Sequence, residues 1–290
     1  MRLEEIRPDG KVVPKYPLKI MKHIFKDWDK LKKELSDKYI MLFLDYDGTL
    51  TPIADKPKDA NIPLKTKSVL EGLSRRPDCK VAVISGRSLE DIKKMVGIKG
   101  IIYSGNHGLE IEGPKIKFRH SVSARYQRIL QNIETKLKEK FVSVEGVFVE
   151  NKVFSLSFHF RLAKEKDIPF IKDSFREATI SYLLKNNIKV GLGKKVLEVR
   201  PPIEWDKGKI VLWLLARQQV SRGEEKILPL YIGDDLTDED AFEVLKNKGL
   251  TVFVGTPTRQ SHARYYLEDT KEAFELLNRI LAAKNKKNNA

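Results

Sequence analysis

Two aspartates directly follow an uninterrupted apolar segment close to residue 45. Residues 40–44 are all apolar and predict a buried strand, and Asp45 and Asp47 lie at its carboxyl end. In open α/β folds, ligands bind where the strands of a parallel sheet end. The chain is therefore expected to form an α/β protein that presents this pair of carboxylates at one edge of its sheet.

The spacing of the two aspartates suits phosphoryl chemistry. One carboxylate can attack phosphorus, and a neighbour two residues on can protonate the leaving oxygen. A divalent cation has to offset the repulsion between the two groups. A second acidic cluster, in which Asp234, Asp235 and Asp238 follow the apolar residues 228–232, would supply further ligands of that cation.

Two other motifs fit the same chemistry. Residues 81–84 predict a second buried strand that ends at Ser85, whose hydroxyl can hold a phosphate oxygen. Lys207 stands just before a helical pattern, where its ammonium can neutralise a phosphate and an aspartyl intermediate. Each motif alone is weak, since an apolar strand followed by Asp-Gly is common at plain turns. Together they resemble the haloacid-dehalogenase-like phosphohydrolases, whose signature Asp-x-Asp-Gly-Thr begins here at Asp45.

Length and composition narrow the class of protein. The 290 residues are many for one domain and suit a core with an inserted lobe, and 41% hydrophobic with 33% charged residues is typical of an ordinary soluble protein. No segment approaches the roughly 20 apolar residues of a membrane span, and no apolar signal peptide opens the sequence, so we expect a cytoplasmic protein without a membrane partner. The single cysteine, Cys79, excludes an internal disulfide.

The net charge of +15 is concentrated in the middle of the chain. Residues 113–200 hold 19 basic and 9 acidic side chains, whereas residues 201–290 hold 14 of each. A basic segment can indicate nucleic-acid binding, but the sequence offers neither aromatic platforms nor a recognised module for it, so we expect no nucleic-acid partner. The excess charge either attracts a small anion towards a metal site or solvates helix faces.

The order of strand and helix patterns predicts a split core with an insertion. Residues 40–112 and 201–290 alternate strands and helices, which is typical of a Rossmann-like parallel sheet covered by helices. Residues 113–200 lose that rhythm and are interpreted as an inserted α+β cap, a small antiparallel sheet with two helices. The predicted fold class is thus α/β, with a haloacid-dehalogenase-like core and a cap.

Both ends of the chain are expected to be appendages. Residues 1–39 form an N-terminal extension with one helix from about residue 21 to residue 35, and its role is left open. The polar tail at residues 284–290 is expected to fray.

One strand of the cap has two distinct faces. Residues 153–161 alternate apolar and polar side chains, so one face is expected to pack against the cap helices and the other to look outward. An inserted lobe normally turns such a polar face towards the site that it covers. The polar side chains are Ser155, Ser157, His159 and Arg161, and those expected to be buried are Phe154, Leu156, Phe158, Leu197 and Val199.

Five longer segments narrow the resemblance. Together they look like the trehalose-6-phosphate phosphatase family, and the similarity runs from about residue 40 to residue 281. The extension at residues 1–39 has no counterpart. The segments are residues 105–110, 158–161, 195–201, 205–208 and 233–242.

The resemblance implies a two-step mechanism. Asp45 would attack the phosphorus of trehalose 6-phosphate and form an aspartyl-phosphate, and Asp47 would protonate the departing hydroxyl and later activate water. Ser85 and Lys207 would bind the transferring phosphoryl oxygens, and Arg87 would orient Asp47 or the phosphate.

The resemblance also implies a magnesium site. Mg²⁺ would be held by Asp45, the backbone carbonyl of Asp47 and Asp234, with Asp235 and Asp238 in direct or water-mediated support. An oxygen-only donor set without histidine or cysteine favours magnesium over zinc.

Sugar hydroxyls need paired donors and acceptors, which the polar faces of the cap offer. Lys194 and Glu198 share one face of a strand and would grip the distal glucose. His159 and Arg161 would contact the sugar from the neighbouring strand. Closure of the cap would exclude water from the intermediate. Three further sugar ligands are expected at the junction between the core and the cap, namely Asn106, His107 and Glu110.

Two alternative functions stay open at this point. A sucrose-phosphate or other sugar phosphatase would share the core motifs and differ only in its cap. The second alternative is a non-catalytic sensor that partners a trehalose synthase. A binding module, however, needs no nucleophile beside an acid, as Asp45 and Asp47 provide. A trehalose-6-phosphate synthase is a candidate partner of the chain. Oligomeric state and regulation are not legible from the sequence.

Overall fold

A computed structural model describes residues 4–6, 12–14, 21–223, 226–257 and 261–287. The strands are β1 Glu4–Ile6, β2 Val12–Pro14, β3 Lys22–His23, β4 Tyr39–Leu44, β5 Cys79–Ile84, β6 Ile102–Gly105, β7 Glu110–Gly113, β8 Ile116–Arg119, β9 Phe148–Asn151, β10 Leu156–His159, β11 Lys189–Gly193, β12 Val196–Arg200, β13 Ile227–Gly233, β14 Leu250–Val254 and β15 Tyr265–Leu267. The α-helices are α1 Trp28–Asp37, α2 Leu64–Ser74, α3 Leu89–Val96, α4 Ala124–Lys140, α5 Ile168–Leu184, α6 Lys207–Arg222, α7 Glu239–Leu245 and α8 Thr270–Lys287.

The large sheet places the predicted acidic strand at its centre. Its order is β3-β15-β14-β13-β4-β5-β6-β7-β8, and only β7 and β8 run antiparallel to their neighbours. β4 pairs in parallel with β13 on one side and with β5 on the other. The three strand ends that precede Asp45, Ser85 and Asp234 therefore lie side by side at one edge of the sheet.

Alternate residues of β4 face two different helical layers. Ile40, Leu42 and Leu44 join the cluster that contains α1, α2, α3 and α8, whereas Met41 and Phe43 join the cluster that contains α6 and α7. All five side chains are fully buried. Burial on both faces explains the unbroken apolar segment, because each such side chain contributes roughly 1.5–3 kcal/mol only when it leaves water.

A second, smaller sheet is antiparallel throughout and has the order β11-β12-β10-β9. Leu156 and Phe158 of β10 and Leu197 and Val199 of β12 are buried against α4 and α5. The four-stranded sheet and its two helices, called the cap below, form an α+β unit beside the helix-covered large sheet. The predicted fold class is confirmed.

The large sheet extends further along the chain than the predicted boundary at residue 113. β8 pairs with β7, which in turn pairs with β6 of the large sheet, so residues up to Arg119 belong to that sheet. The first element of the cap is α4, which begins at Ala124. Short edge strands such as β8 carry too little pattern to reveal which of two sheets they join.

Both ends of the described chain differ from the prediction. The helix expected from about residue 21 begins only at Trp28, because Lys22 and His23 form an edge strand beside β15. The fraying expected from residue 284 is wrong as far as Lys287, where α8 ends. Lys284 is fully buried, and its ammonium donates to the carbonyl of Lys38 at 2.7 Å and to Asp78 at 3.0 Å. Within the described residues, no helix combines the length and the apolar character that crossing a bilayer requires.

Candidate active site

The edge of the large sheet and the polar face of the cap enclose one cleft. The cleft brings together residues that lie far apart in the sequence, because parallel strands deliver their carboxyl ends to the same place. Asn106, Glu110 and Asp238 are predicted site residues that do not line it. Those that do line it are Asp45, Asp47, Ser85, Arg87, His107, His159, Arg161, Lys194, Glu198, Lys207, Asp234 and Asp235.

Lys207 links the first acidic motif to the second. It is the first residue of α6, and its ammonium donates to Oδ1 of Asp45 and to Oδ1 of Asp238, both at 2.7 Å. The exposed fraction of Lys207 is only 3%. Although burial opposes it, Asp238 and Asp45 raise the pKa of Lys207, so the ammonium stays charged. A fixed positive charge therefore lies against the predicted nucleophile.

Asp238 positions its neighbours and is itself fully buried. Its Oδ1 also accepts a hydrogen bond from the Tyr231 hydroxyl at 2.6 Å. Its Oδ2 accepts the backbone N–H groups of Asp234 and Asp235 at 3.0 and 2.9 Å. Asp235 in turn caps the short 3₁₀ helix that contains Asp238. These contacts fix the acidic loop, and they leave Asp234 as the carboxylate of this cluster that faces Asp45.

Asp234 has one carboxylate oxygen without a partner. Its Oδ1 is buried and accepts no hydrogen bond from any residue within the described ranges. Its Oδ2 accepts the ammonium of Lys194, which reaches across from the cap at 2.5 Å. Gly48 passes so close that a Cβ there would lie 2.1 Å from Oδ2, and its φ of +88° also favours glycine.

The carboxylates of Asp45, Asp234 and Asp238 form a group that could hold a metal ion, with one oxygen of each within 4.8 Å of the others. Burial raises the pKa of Asp45 well above its usual value; Lys207 opposes this, and the neighbouring Asp238 and Asp234 add to it. Burial and Asp238 likewise raise the pKa of Asp234 to about 6, against the influence of Lys194. Crowded buried carboxylates with an unpartnered oxygen fit a bound divalent cation, which would relieve their repulsion.

Asp47 forms a bidentate ion pair with Arg87. Arg87 donates from Nε to Oδ2 of Asp47 at 2.7 Å and from Nη2 to Oδ1 at 2.6 Å. The side chain of Asp47 is 36% exposed, whereas that of Asp45 is 8% exposed. The two carboxylates of the motif thus occupy different environments, and the planar fork of Arg87 fixes the direction of Asp47.

Ser85 lies at the end of β5 and is 2% exposed. Its hydroxyl oxygen accepts the backbone N–H of Arg87 at 3.2 Å, and its own N–H donates to the carbonyl of Ser104 at 2.9 Å. The hydroxyl hydrogen stays available for a ligand in the cleft, as the sequence predicts for a phosphate oxygen.

The junction between the large sheet and the cap is a tight turn after β6. Asn106 and His107 have φ values of +49° and +53°, and Gly108 follows with +94°. Asn106 donates to Glu110 at 2.8 Å and accepts the hydroxyl of Ser155, a cap residue, at 3.1 Å. Asn106 and Glu110, predicted as sugar ligands, therefore bond to each other and to the cap instead of lining the cleft.

Glu198 is the centre of a buried charge cluster that joins the two walls of the cleft. Its Oε2 accepts Nε2–H of His107 at 2.7 Å and the guanidinium of Arg200 at 2.6 Å, and its Oε1 lies 3.3 Å from the ammonium of Lys152. Burial, together with the charge of Arg200, lowers the pKa of His107 to about 4. Burial opposes it, but His107, Arg200 and Lys152 hold the pKa of Glu198 well below its usual value. A neutral imidazole and an ionised carboxylate result.

The remaining cap candidates are held by their own sheet and by the core. His159 contacts Glu150 at 2.8 Å and stacks on Phe148 with ring centroids 4.3 Å apart. Arg161 donates to the carbonyl of Lys194 at 2.8 Å and to the carbonyl of Ala54, which lies in the core loop after the nucleophile motif. The polar face of the cap thus turns towards the cleft.

Sequence reasoning missed five charged residues that line the cleft. Glu150, Lys152 and Arg200 bond to predicted site residues, and the other two are Asp55 and Lys195. Glu150 lies opposite Ser157 in the register of β9 and β10, so it shares the polar face of that strand. Arg200 lies two residues from Glu198 on the same face of β12. Cross-strand pairing would have indicated Glu150, and strand periodicity would have indicated Arg200. Lys152 follows β9 in a turn, where neither signal applies.

Comparisons with known proteins agree with this geometry. The sequence profile of the trehalose-phosphatase family matches residues 43–271. Trehalose-phosphate phosphatase B of Arabidopsis thaliana is 33% identical over 270 residues, which cover 89% of this chain and 71% of that protein. The probable trehalose-phosphate phosphatase H of the same plant is 35% identical over 274 residues, which cover 87% and 75%.

Among solved structures, the C-terminal domain of Candida albicans trehalose-6-phosphate phosphatase superposes with a TM-score of 0.75 and 27% identity, covering 87% of this chain and 97% of that domain. Sequence and fold therefore agree, and the chain belongs to the trehalose-phosphatase family of haloacid-dehalogenase-like phosphatases.

Proposed function

We propose that the chain hydrolyses trehalose 6-phosphate to trehalose and phosphate, the last step of trehalose biosynthesis, in a Mg²⁺-dependent reaction that passes through a phosphorylated Asp45. The observation that carries the proposal is the buried cluster of Asp45, Lys207 and Asp234 at the floor of a cleft roofed by the cap. A binding protein would have no use for a buried nucleophile and its counter-charge at this position.

Asp45 is the nucleophile. Lys207 binds its Oδ1, which leaves Oδ2 to attack phosphorus. The same ammonium, with the hydroxyl of Ser85, lies where the transferring phosphoryl oxygens gather negative charge. Because Asp238, which itself accepts the Tyr231 hydroxyl, holds Lys207 from behind, the charge does not have to move during the reaction.

Asp47 is the general acid and base. Its ion pair with Arg87 fixes the direction of its carboxylate, and the carboxylate form activates water for hydrolysis of the phosphorylated Asp45. In the first half-reaction Asp47 must carry a proton for the leaving sugar oxygen. A phosphate dianion in the cleft also offers the guanidinium of Arg87 another partner.

Asp45, Asp234 and the backbone carbonyl of Asp47 would hold the magnesium ion, and Asp235 would support it through water. All of these donors are oxygens, and the unpartnered Oδ1 of Asp234 fits a hard cation. When bound, the ion offsets the charge of the carboxylates and of the phosphate. Asp238 acts by fixing Lys207 and the loop, since both of its oxygens are already engaged.

The polar face of the cap selects the sugar. His159, Arg161 and Glu198 line the cleft opposite Asp45, and so does Lys194, whose half-exposed side chain could also reach the sugar. Contacts between cap and core, such as Arg161 with the Ala54 carbonyl, close the cleft and exclude water. Sugars that cannot match the cap would prevent this closure.

Phosphate release from a panel of sugar phosphates, with and without Mg²⁺, tests the proposal. We expect kcat/KM for trehalose 6-phosphate to exceed the values for sucrose 6-phosphate and glucose 6-phosphate by about 100-fold or more, because a site built for one set of hydroxyls rejects others by such factors. Chelation of the metal should abolish turnover. Comparable rates for sucrose 6-phosphate would transfer the assignment to another sugar phosphatase.

A further inference from the structure

Lys152 places a buried ammonium between the two walls of the cleft. It follows β9 of the cap, and its side chain is only 8% exposed. The ammonium donates to the backbone carbonyl of Gly86, in the core, at 2.8 Å and lies 3.3 Å from Oε1 of Glu198, in the cap. A buried charge persists only where it is paired and hydrogen-bonded, and here one partner belongs to each wall.

The carbonyl that Lys152 binds belongs to the loop that carries the phosphate-handling groups. Gly86 lies between Ser85, whose hydroxyl faces the cleft, and Arg87, which grips Asp47 at 2.6 and 2.7 Å. A peptide next to glycine can rotate more freely than any other. A rotation at Gly86 would displace the Ser85 hydroxyl and the Arg87 guanidinium together.

The opposite side of the same loop is closed by His107. A Cβ on Gly86 would lie 2.5 Å from Nε2 of His107, so the imidazole fills the space that a side chain would need. The backbone N–H of His107 donates to the carbonyl of Ser85 at 3.1 Å, and its ring donates to Glu198 at 2.7 Å. Lys152, Glu198 and His107 thus surround the loop, and Lys152 is the member that reaches it from the cap.

We propose that Lys152 is a positioning residue, which orients Ser85 and Arg87 through the Gly86 carbonyl once the cap has closed. It acts on the phosphate end of the reaction although it belongs to the cap, whose residues His159 and Arg161 are proposed to contact the sugar. The inference rests on the proposed function, because it takes Ser85 and Arg87 to handle the transferred phosphate and its acid.

The test compares Lys152→Met and Lys152→Arg with Lys138→Met. Lys138 is a cap lysine with a carboxylate partner, Glu134, at 2.6 Å on the surface of α4. Four quantities are measured in Mg²⁺: kcat and KM for trehalose 6-phosphate, the affinity for orthovanadate as a mimic of the transferring phosphoryl group, and the affinity for trehalose. Circular dichroism and thermal unfolding report whether each variant is folded.

In Lys152→Met we expect kcat and vanadate affinity to fall together by about 10- to 100-fold, the range that misplacement of a reacting group costs. KM and the affinity for trehalose should stay within about threefold of wild type, since no sugar contact is lost. Lys152→Arg, which keeps a charged donor for the Gly86 carbonyl, should recover most of the loss. Lys138→Met should match wild type in every quantity.

Two results would overturn the inference. If trehalose affinity falls while vanadate affinity holds, Lys152 is a sugar ligand; if only the unfolding temperature falls, it is a structural contact. Should Lys152→Met not fold, a Lys152→Arg variant that folds but loses vanadate affinity would also contradict it. If the wild type does not hydrolyse trehalose 6-phosphate, the proposed substrate is wrong, yet vanadate affinity and turnover of 4-nitrophenyl phosphate still decide the role of Lys152.

Discussion

The two walls of the cleft are built by different rules. On the wall formed by the large sheet, the side chains of Asp45 and Lys207 are 8% and 3% exposed and are bonded to each other. On the wall formed by the cap, the side chain of Lys194 is 51% exposed and that of His159 is 18% exposed, whereas that of Glu198, at the junction of the two walls, is only 8% exposed. Buried and mutually bonded charges keep one geometry, whereas exposed side chains adapt. The difference agrees with the proposal that the first wall carries out the chemical step and that the more exposed side chains of the second recognise the sugar.

Removal of the nucleophile is expected to have the largest effect. Asp45→Asn keeps the size of the side chain but cannot form the covalent intermediate, so turnover should fall by about 10⁴-fold or more for every substrate. The fold should persist, because Asp238 still binds the ammonium of Lys207 and the loss of the Asp45 charge relieves its repulsion with Asp234 and Asp238. Phosphate release and circular dichroism measure both effects.

Asp59→Asn is the matched control, since Asp59 is exposed and lies outside the cleft. It should behave like the wild type. If Asp45→Asn retained wild-type-like activity, the covalent mechanism would be wrong. The wall formed by the large sheet would then no longer be assigned the chemical step.

The junction between the two walls should show a smaller, pH-dependent effect. The pKa of His107 is lowered from 6.5 to about 4 because the ring is buried beside Arg200. Between these pH values the unfolded chain binds a proton that the folded protein does not. His107 therefore stabilises the folded state above pH 6.5, and its contribution is lost as the pH falls towards 4, by at most about 1.4 kcal/mol per pH unit.

Urea unfolding of wild type and His107→Asn between pH 4.5 and pH 7 isolates this contribution. Asparagine suits the left-handed backbone at this position, where φ is +53°, so the variant should fold. Arg200 and Lys152 still hold the pKa of Glu198 low in the variant, so the free energy of unfolding should depend less steeply on pH there. Equal slopes would show that His107 is protonated as readily in the folded protein as in the unfolded chain.

The same contrast explains what the sequence could and could not predict. Asp45, Ser85, Lys207 and Asp234 each adjoin a strand end or a helix start, and the topology of a parallel sheet then brings them together whatever the rest of the chain does. Their convergence was predictable from local patterns. The sugar contacts assigned to the cap stay predictions, because a pattern shows which face of a strand is polar and not what lies opposite.

Two junction residues illustrate that limit. Asn106 and Glu110 are neighbours in sequence of His107, which lines the cleft. A turn with three successive positive φ values nevertheless directs the side chain of Asn106 to Ser155 and Glu110. Asparagine and histidine adopt positive φ values more often than most residues, but residue type alone does not show that Asn106 and His107 do so. The role of Lys152 depends on how the cap packs over Gly86. This is a tertiary contact between distant segments, and no local sequence pattern reveals it.

The smallest expected effect concerns Lys194, a cap side chain that contacts the acidic cluster at the edge of the large sheet. Lys194 places its ammonium 2.5 Å from Oδ2 of Asp234, where a divalent cation would otherwise draw on the same carboxylate. A metal ion must displace or tolerate this ammonium when it binds. In Lys194→Met the affinity for Mg²⁺, measured by calorimetry without substrate, should therefore rise about fivefold, which corresponds to the roughly 1 kcal/mol that a partly exposed ion pair contributes.

Lys138→Met, whose lost ion pair lies on the cap surface, should bind Mg²⁺ like the wild type. An unchanged or weaker affinity in Lys194→Met would show that the ammonium does not compete with the metal, and the two walls would then be electrostatically independent. A gain confined to Lys194→Met would show the opposite. Lys194 would then neutralise part of the charge of Asp234 for as long as metal and substrate are absent. The cap could therefore close over a site without metal and substrate, in a state that is stable but inactive.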